Sequence, residues 1–528
     1  MINEPFMRTH FLILALALST APLNAQVMPT DDPVIKRIWD EGMQRSQAMS
    51  LIQVLSDSIG PRLTGTPGIK RGNDWLVATY QKWGVAARNE QYGTWVGWRR
   101  GTTHIDLVQP RVRSLEGTML SWSGGTGGKP VDAPTVILPD LADSSAFNAW
   151  LPSVKGKYVL VSFAQPTCRP DSSFKQFATP ETFTAMQDDR KLARDGWAQR
   201  ITRTGQSNRV LPLRLEAAGA RGVVQSNWSN GWGVNKVFNA RTRTIPTVDL
   251  SCEDYGLVYR LTERNQNPVL RITADAEFTG DDTPVFNTIA EIKGSAKPNE
   301  YVMLSAHFDS WDAASGSTDN GTGTVTMLEA LRLLKLAYPN PKRTILVGHW
   351  SGEEQGLNGS RAFSEDHPEV VNGLQALFNQ DNGTGRIQNF SASGLVNVGE
   401  YLAKWMSRIP TEITRHITLN VPGQPAGGGS DNASFICYSA PGLGLGSLNW
   451  EYGTYTWHTN RDTYDKVVAD EIKNNAVLVA MLAYQASEEG DKLPRERRVM
   501  PMNPQNADQQ ARWPDCVKAV RKIGDWQR

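Results

Sequence analysis

The sequence predicts an α/β fold interrupted by a second lobe, and three observations carry that expectation. From Thr288 onward, short apolar runs alternate with an amphipathic helical pattern, the rhythm of an α/β sheet. Each of those runs is followed at once by polar residues, where open α/β sheets keep their ligands. Between about Leu120 and Phe278 the rhythm changes to strand-like segments behind a Gly- and Ser-rich stretch, Ser121 to Gly128, so a separate α/β or β-rich lobe is expected there. A chain of 528 residues has room for both units.

Charge excludes two classes of partner. Lys plus Arg number 55 and Asp plus Glu 54, so no global field draws the chain to nucleic acid or to an anionic membrane. Function must therefore sit in a local site. The high count of 17 Trp, with 21% charged residues, excludes a disordered chain.

The elements follow in order. Arg8 and His10 precede the apolar run Phe11 to Leu18, and small residues lead to Ala25 before Gln26, the pattern of a secretory signal peptide over residues 1–25. No later stretch is long and apolar enough for a membrane helix, so a secreted or periplasmic chain is expected. Asp31-Asp32-Pro33 starts a helix with Ile35, Ile38 and Trp39 on one face, and a second apolar set follows at Met49, Ile52, Val54 and Leu55. Gly60 to Pro67 breaks the pattern. A further helix, about Ile69 to Trp83, ends at Gly84. In the middle lobe, Thr135–Leu138, Tyr158–Phe163 and Gly222–Gln225 read as buried strands, Leu213–Ala218 as a helix, and Pro180–Thr204 as a charged, solvated helix. Beyond it, Tyr301–Ala306, Thr344–Gly348 and Leu374–Phe378 are strands and Gly321–Leu336 is a helix with Met327, Leu328, Leu331 and Leu334 inward. The tail after Leu493 carries no pattern. Cys168, Cys252, Cys437 and Cys516 allow three pairings, which spacing leaves open.

The chemistry lies just past the strand ends. His307 and Asp309 follow the first strand, Glu353 and Glu354 the second, and Asp381 the third. Asp319 precedes the helix, and His458 sits in Tyr455-Thr456-Trp457-His458-Thr459. Singly, each has a structural explanation: a hydrogen-bonded His-x-Asp pair, a solvated Glu-Glu loop, an Asp-Asn-Gly turn. Together they supply imidazoles and carboxylates of a zinc-like set, with one carboxylate to bridge two metals and another left over as a base. His349 reads as a core histidine. His104, His367 and His416 receive no role.

Ala306-His307-Phe308-Asp309-Ser310, Gly316 to Gly321, Trp350 to Ser360, Gln380-Asp381-Asn382-Gly383 and Trp457-His458-Thr459 resemble the dizinc aminopeptidase and carboxypeptidase family. Gly60 to Gly65 and His458 to Thr463 are most similar to its carboxypeptidase Q branch. The resemblance spans about Val34 to Arg495. It implies a central mixed, largely parallel sheet flanked by helices, with an inserted protease-associated-like lobe. The domain plan becomes residues 1–25 signal, 26–119 first part of the catalytic domain, 120–278 insertion, 279–495 catalytic dizinc domain and 496–528 tail. The resemblance also implies two zinc ions per chain, with Asp319 bridging, His307 and Asp381 on one ion, and Glu354 and His458 on the other. Glu353 would be the general base, and Asp309 the carboxylate that orients His307.

Further expectations concern substrate. Some relatives place an oxyanion-donating Tyr where this chain has Trp457, so Tyr455, Tyr452 or the Trp457 indole is left to donate or to wall the pocket. Ser430 and Asp431, after Gly427 to Gly429, sit like a substrate-recognition loop; a Gly-rich turn with a helix cap is the alternative. The implied function is an exopeptidase acting on short peptides or dipeptides, as carboxypeptidase or dipeptidase, with an aminopeptidase as the alternative. Two rivals differ in class. A binding ectodomain of this fold should lack several of the ligand residues, and a glutaminyl cyclase should hold one zinc. Homodimers are implied by the resemblance, and the Trp count leaves aromatic surface for an interface.

Overall fold

The computed structural model describes residues 30–503 and 506–522. The signal-peptide expectation over residues 1–25 lies outside them. The chain begins with the helix Pro33–Gln44, whose first turn is capped by the Asp32 carboxylate accepting from the Val34 amide at 2.8 Å. The next helical elements run from Ala48 to Ile59 and from Pro67 to Lys82.

We label the strands that frame the site β1 (Ala86–Gln109), β2 (Val269–Ile292), β3 (Lys297–His307), β4 (Arg343–Trp350), β5 (Leu374–Gln380) and β6 (Gly442–Ser447). The sheet runs β6-β5-β3-β4-β2 in space; β6, β5, β3 and β4 are mutually parallel, and β2 joins antiparallel. Ile387–Ser391 extends the β6 edge antiparallel. The sheet is thus mixed and largely parallel. The strands β3, β4 and β5 contain the three apolar runs of the sequence, and every residue of β4 and β5 is buried. Strands covered on both faces read as unbroken apolar runs, which is why they were legible. The helix Thr322–Ala337, buried from Thr322 to Leu334, packs with Ala469–Glu488 on this sheet and forms the main core with Val302, Leu304, Val347 and Phe378.

The middle of the chain joins this sheet by a ribbon rather than by a hinge. Strands β1 and β2, each of 24 residues, pair antiparallel along most of their length. One end of β2 pairs with β4, and its other end pairs with Val131–Ile137, which continues through Tyr158–Leu160, Gly222–Gln225 and Thr247–Leu250. A distinct core of Leu138, Phe147, Val159, Trp197, Leu215 and Val223 lies under those strands. The expected boundary near Phe278 falls inside the continuous β2. Of the charged helix Pro180–Arg203, only Met186 and Trp197 are buried, as a solvated helix requires.

Two disulfides resolve the pairings left open, Cys168–Cys252 and Cys437–Cys516. The second ties the tail to the sheet side, where the Trp513 indole donates to the Ile436 carbonyl at 3.0 Å and Arg521 pairs with Glu365 and Asp366. Among the described residues no helix is long and apolar enough to cross a membrane.

Candidate metal centre

Strand geometry assembles the site. Strands β3, β4 and β5 run parallel, so their carboxyl ends lie side by side, and His307, the Glu353-Glu354 turn and Asp381 emerge along one edge. Asp319 enters from the segment that leads into Thr322–Ala337, and His458 from the loop before Ala469–Glu488.

The side chains converge in two groups around one shared carboxylate. His307 Nε2 lies 3.4 Å from Asp319 Oδ1 and 3.2 Å from Asp381 Oδ1. His458 Nε2 lies 3.3 Å from Asp319 Oδ2 and 2.9 Å from Glu354 Oε2. One oxygen of Asp319 therefore faces each group, and within each group the candidate ligand atoms lie within 4.8 Å of one another. The donor chemistry fits divalent metal. Imidazole and carboxylate suit zinc-type ions, and Glu354 Oε1 is buried without a hydrogen-bond partner.

Electrostatics agree with that fit. Burial, the Asp319 carboxylate and other neighbours push the Glu354 carboxyl well above the ordinary range, and burial followed by Asp381 and Asp431 does the same to Glu353 against the pull of His307. Burial works against a charged His307, but Asp381 and Glu353 outweigh it and hold the imidazolium well above its usual range. So many crowded like charges call for a multivalent cation.

The supports differ in one respect from the sequence expectation. His307 Nδ1 donates to the main-chain carbonyl of Asp309 at 3.0 Å, while the Asp309 carboxylate oxygen stands 3.7 Å away. That carboxylate instead accepts the amides of Glu353 at 3.1 Å and Glu354 at 3.2 Å, so it fixes the turn that carries both glutamates. The family resemblance implied the Asp309 carboxylate as the group that orients His307; its main-chain carbonyl takes that place.

Two further supports received no role from the sequence. Asp462 accepts the amides of Thr318 at 2.8 Å and Asp319 at 2.9 Å, which locks the shared carboxylate in place, and burial pushes its own carboxyl up to about 7. Arg62, fully buried, donates to the carbonyls of Phe308, Ser315 and Gly316 at 2.7–2.8 Å and braces the loop between His307 and Asp319. Both residues lie in motifs that carried the resemblance, Gly60 to Gly65 and His458 to Thr463, and that was the available signal. His349 is a core residue as expected; its Nε2 meets the Tyr80 hydroxyl at 2.7 Å.

The expected substrate residues scatter. Trp457 is 37% exposed, stacks on the His458 ring at 4.0 Å and lies under the Lys236 ammonium at 4.1 Å. Tyr455 turns away to pack on Gly231. Tyr452 instead reaches the centre: its buried hydroxyl lies beside the Asp319 carboxylate, and burial followed by Asp319 and Asp381 pushes the phenol well above its ordinary range. Its ring lies on Gly383, where a Cβ would come within 2.7 Å of it, so a side chain there would displace the ring. Ser430 borders a polar cavity shared with Asp381, while the Asp431 side chain is fully buried beside it.

Residues 235–238, from the middle of the chain, press on the loop of His458. The Val237 amide donates to the His458 carbonyl at 2.7 Å, Lys236 Nζ donates to the carbonyls of Gly453 and Trp457 at 2.9 Å, and Phe238 meets the His458 ring edge-on at 5.2 Å.

Residues 287–483 match the model of Peptidase family M28, and every residue of the two donor groups lies inside that span. The chain is 24% identical over 455 residues to mouse carboxypeptidase Q, covering 86% of this chain and 88% of that protein. Over 219 residues, 38% of this chain and 55% of the relative, it is 30% identical to leucine aminopeptidase 1 of Coccidioides posadasii. Its fold is shared with an M28 peptidase precursor from Shewanella amazonensis at a TM-score of 0.63 and 22% identity, covering 87% of this chain and 97% of that one. A zinc aminopeptidase from Bacillus subtilis follows at 0.53 and 21%, covering 85% and 97%.

Proposed function

With residues 287–483 matching Peptidase family M28, we propose that the chain is a metallo-exopeptidase that binds two zinc ions and hydrolyses a terminal peptide bond of short peptides or dipeptides. The observation that carries this is Asp319, whose two oxygens each face a separate imidazole and carboxylate. A cyclase with one zinc needs only one such group. Carboxypeptidase Q as a relative favours carboxypeptidase or dipeptidase action, and the aminopeptidase neighbours keep trimming from the other end as the alternative.

His307 and Asp381 would hold one ion, Glu354 and His458 the other, with Asp319 between them. When bound, the ions would supply Lewis acidity and lower the pKa of water toward about 7. The chain supplies the proton chemistry. Glu353, held by Asp309 at the edge of the cluster, accepts the proton of the attacking water and returns it to the leaving nitrogen as the C–N bond breaks. The Tyr452 hydroxyl, placed beside Asp319, donates to the carbonyl oxygen as negative charge develops there, taking the task that Trp457 cannot perform with a hydroxyl. Tyr452→Phe should therefore keep its metal and lose roughly 10²–10³-fold in kcat, the usual scale for one oxyanion donor. A kcat within twofold of the wild type would remove Tyr452 from the mechanism.

Secretion or periplasmic residence belongs to the same proposal, supported by two disulfides that suit an oxidising compartment. A homodimer is carried over from the family resemblance. The activity is tested by incubating the zinc-loaded chain with N-blocked, C-blocked and unblocked dipeptides and identifying the products. Cleavage of an N-blocked but not a C-blocked peptide assigns the carboxypeptidase direction, the reverse assigns aminopeptidase, and no zinc-dependent cleavage of any of them contradicts the proposal.

A further inference from the structure

A cavity of about 300 Å³ opens beside Asp381, and its lining is polar and almost free of charge. Asn379, Asn382, Asn389, Ser430 and Asn432 present amides and a hydroxyl to it, and Asp381 is its sole ionisable lining residue. The wall at Asn379 is fixed: its Oδ1 accepts from Ser305 at 2.7 Å and its Nδ2 donates to Ser430 at 2.8 Å, which leaves the Ser430 hydroxyl hydrogen free to be donated. Asn382 and Asn389 make no side-chain hydrogen bond among the described residues, so they keep donors and acceptors for an occupant. On the β6 side the floor is Gly444-Leu445-Gly446; a Cβ at Gly444 would point at the Asn432 amide from 3.6 Å, into the space that glycine leaves open.

We infer that this cavity receives a neutral polar side chain, an amide or a hydroxyl, from the peptide residue next to the bond that is cut. The inference rests on the peptidase reading, which places the reacting carbonyl at the metal centre that Asp381 would help to hold. An anionic side chain would find no cation in the lining, and with the ions bound the Asp381 charge would be engaged by the metal centre, so no ion-pair partner would be left for a cation either. A large aliphatic or aromatic side chain would bury the free amides of Asn382 and Asn389 without partners, which costs binding.

The test uses the zinc-loaded chain and unblocked dipeptides pairing Ala with Gln, Asn, Ser, Leu, Phe, Glu or Lys, in both orders. An unblocked dipeptide gives the same products whichever end is recognised, so the result is independent of the direction of trimming. At one of the two positions, Gln or Asn should exceed Leu, Phe, Glu and Lys by roughly 10-fold or more in kcat/KM, as expected where a site is built to hydrogen-bond its substrate. In Asn389→Leu the Gln-to-Leu ratio should fall toward unity; as a ratio within one preparation it does not depend on the fraction folded. Zinc-dependent cleavage that favours Leu, Phe, Glu or Lys at both positions overturns the side-chain inference and leaves the peptidase reading standing. An unchanged ratio in Asn389→Leu overturns the assignment of this cavity. Absence of zinc-dependent cleavage of every dipeptide overturns the peptidase reading and the inference with it.

Discussion

Glu353→Gln is expected to retain bound metal and lose about 10²–10⁴-fold in kcat, the range for removing a general base. The substitution keeps the shape of the side chain and its backbone amide, so the contact to Asp309 Oδ1 at 3.1 Å survives. What it removes is the capacity to carry a proton between water and leaving nitrogen. The neighbouring Glu354→Gln should behave differently, because Glu354 Oε2 lies 2.9 Å from His458 Nε2 within a donor group and a neutral amide binds a hard cation more weakly. Its loss of activity should track its loss of metal and be restored in part by excess zinc. Measuring metal per chain beside kcat separates the two. Exchanged behaviour, with metal lost in Glu353→Gln and kept in Glu354→Gln, would mean exchanged roles.

Asp319→Asn should have the largest effect. One residue faces both donor groups, so its loss should weaken both metal positions at once and reduce activity on the order of 10⁴-fold or more, a small part of the acceleration such enzymes provide. The local backbone is held independently by Asp462 through the amides of Thr318 and Asp319. The folded structure should therefore persist, and an unchanged circular dichroism spectrum would separate metal loss from unfolding. If Asp319→Asn keeps its full metal content, Asp319 does not bridge.

The central sheet was legible because the apolar runs of β3, β4 and β5 are covered on both faces and are followed by imidazole and carboxylate side chains. The same logic brings His307, Glu354 and Asp381 together, since parallel strands carry their ends to one edge, whereas Asp319 and His458 arrive on loops and were singled out by the motifs that carry the family resemblance. The ribbon of β1 and β2 was not legible. Its alternation is broken by register shifts at Gln91, Trp95, Gly97 and Arg100, and its strands pair across a sequence gap that no local pattern reports. The tail was silent for a similar reason, being held by one disulfide, isolated main-chain bonds such as Thr94 to Arg521, and scattered side-chain contacts without any periodicity.

At the site, what escaped the sequence was orientation. The distinction between the Asp309 carbonyl and carboxylate is a matter of a few ångströms in a loop braced by Arg62, a residue more than 240 positions away. Likewise Tyr452 rather than Tyr455 faces the centre because the loop before His458 is shaped by Lys236 and Val237, whose contact with it is long-range. Spacing specifies which residues meet, while long-range packing decides which atoms do.

The shared role of Asp319 is tested most directly by titrating metal-free protein with zinc and counting the ions bound per chain, with Asp319→Asn measured alongside. Two ions bound by the wild-type chain, with both sites weakened together in Asp319→Asn, is the expected result. A single ion per wild-type chain, or loss of only one of two in Asp319→Asn, would contradict a centre built around one bridging carboxylate.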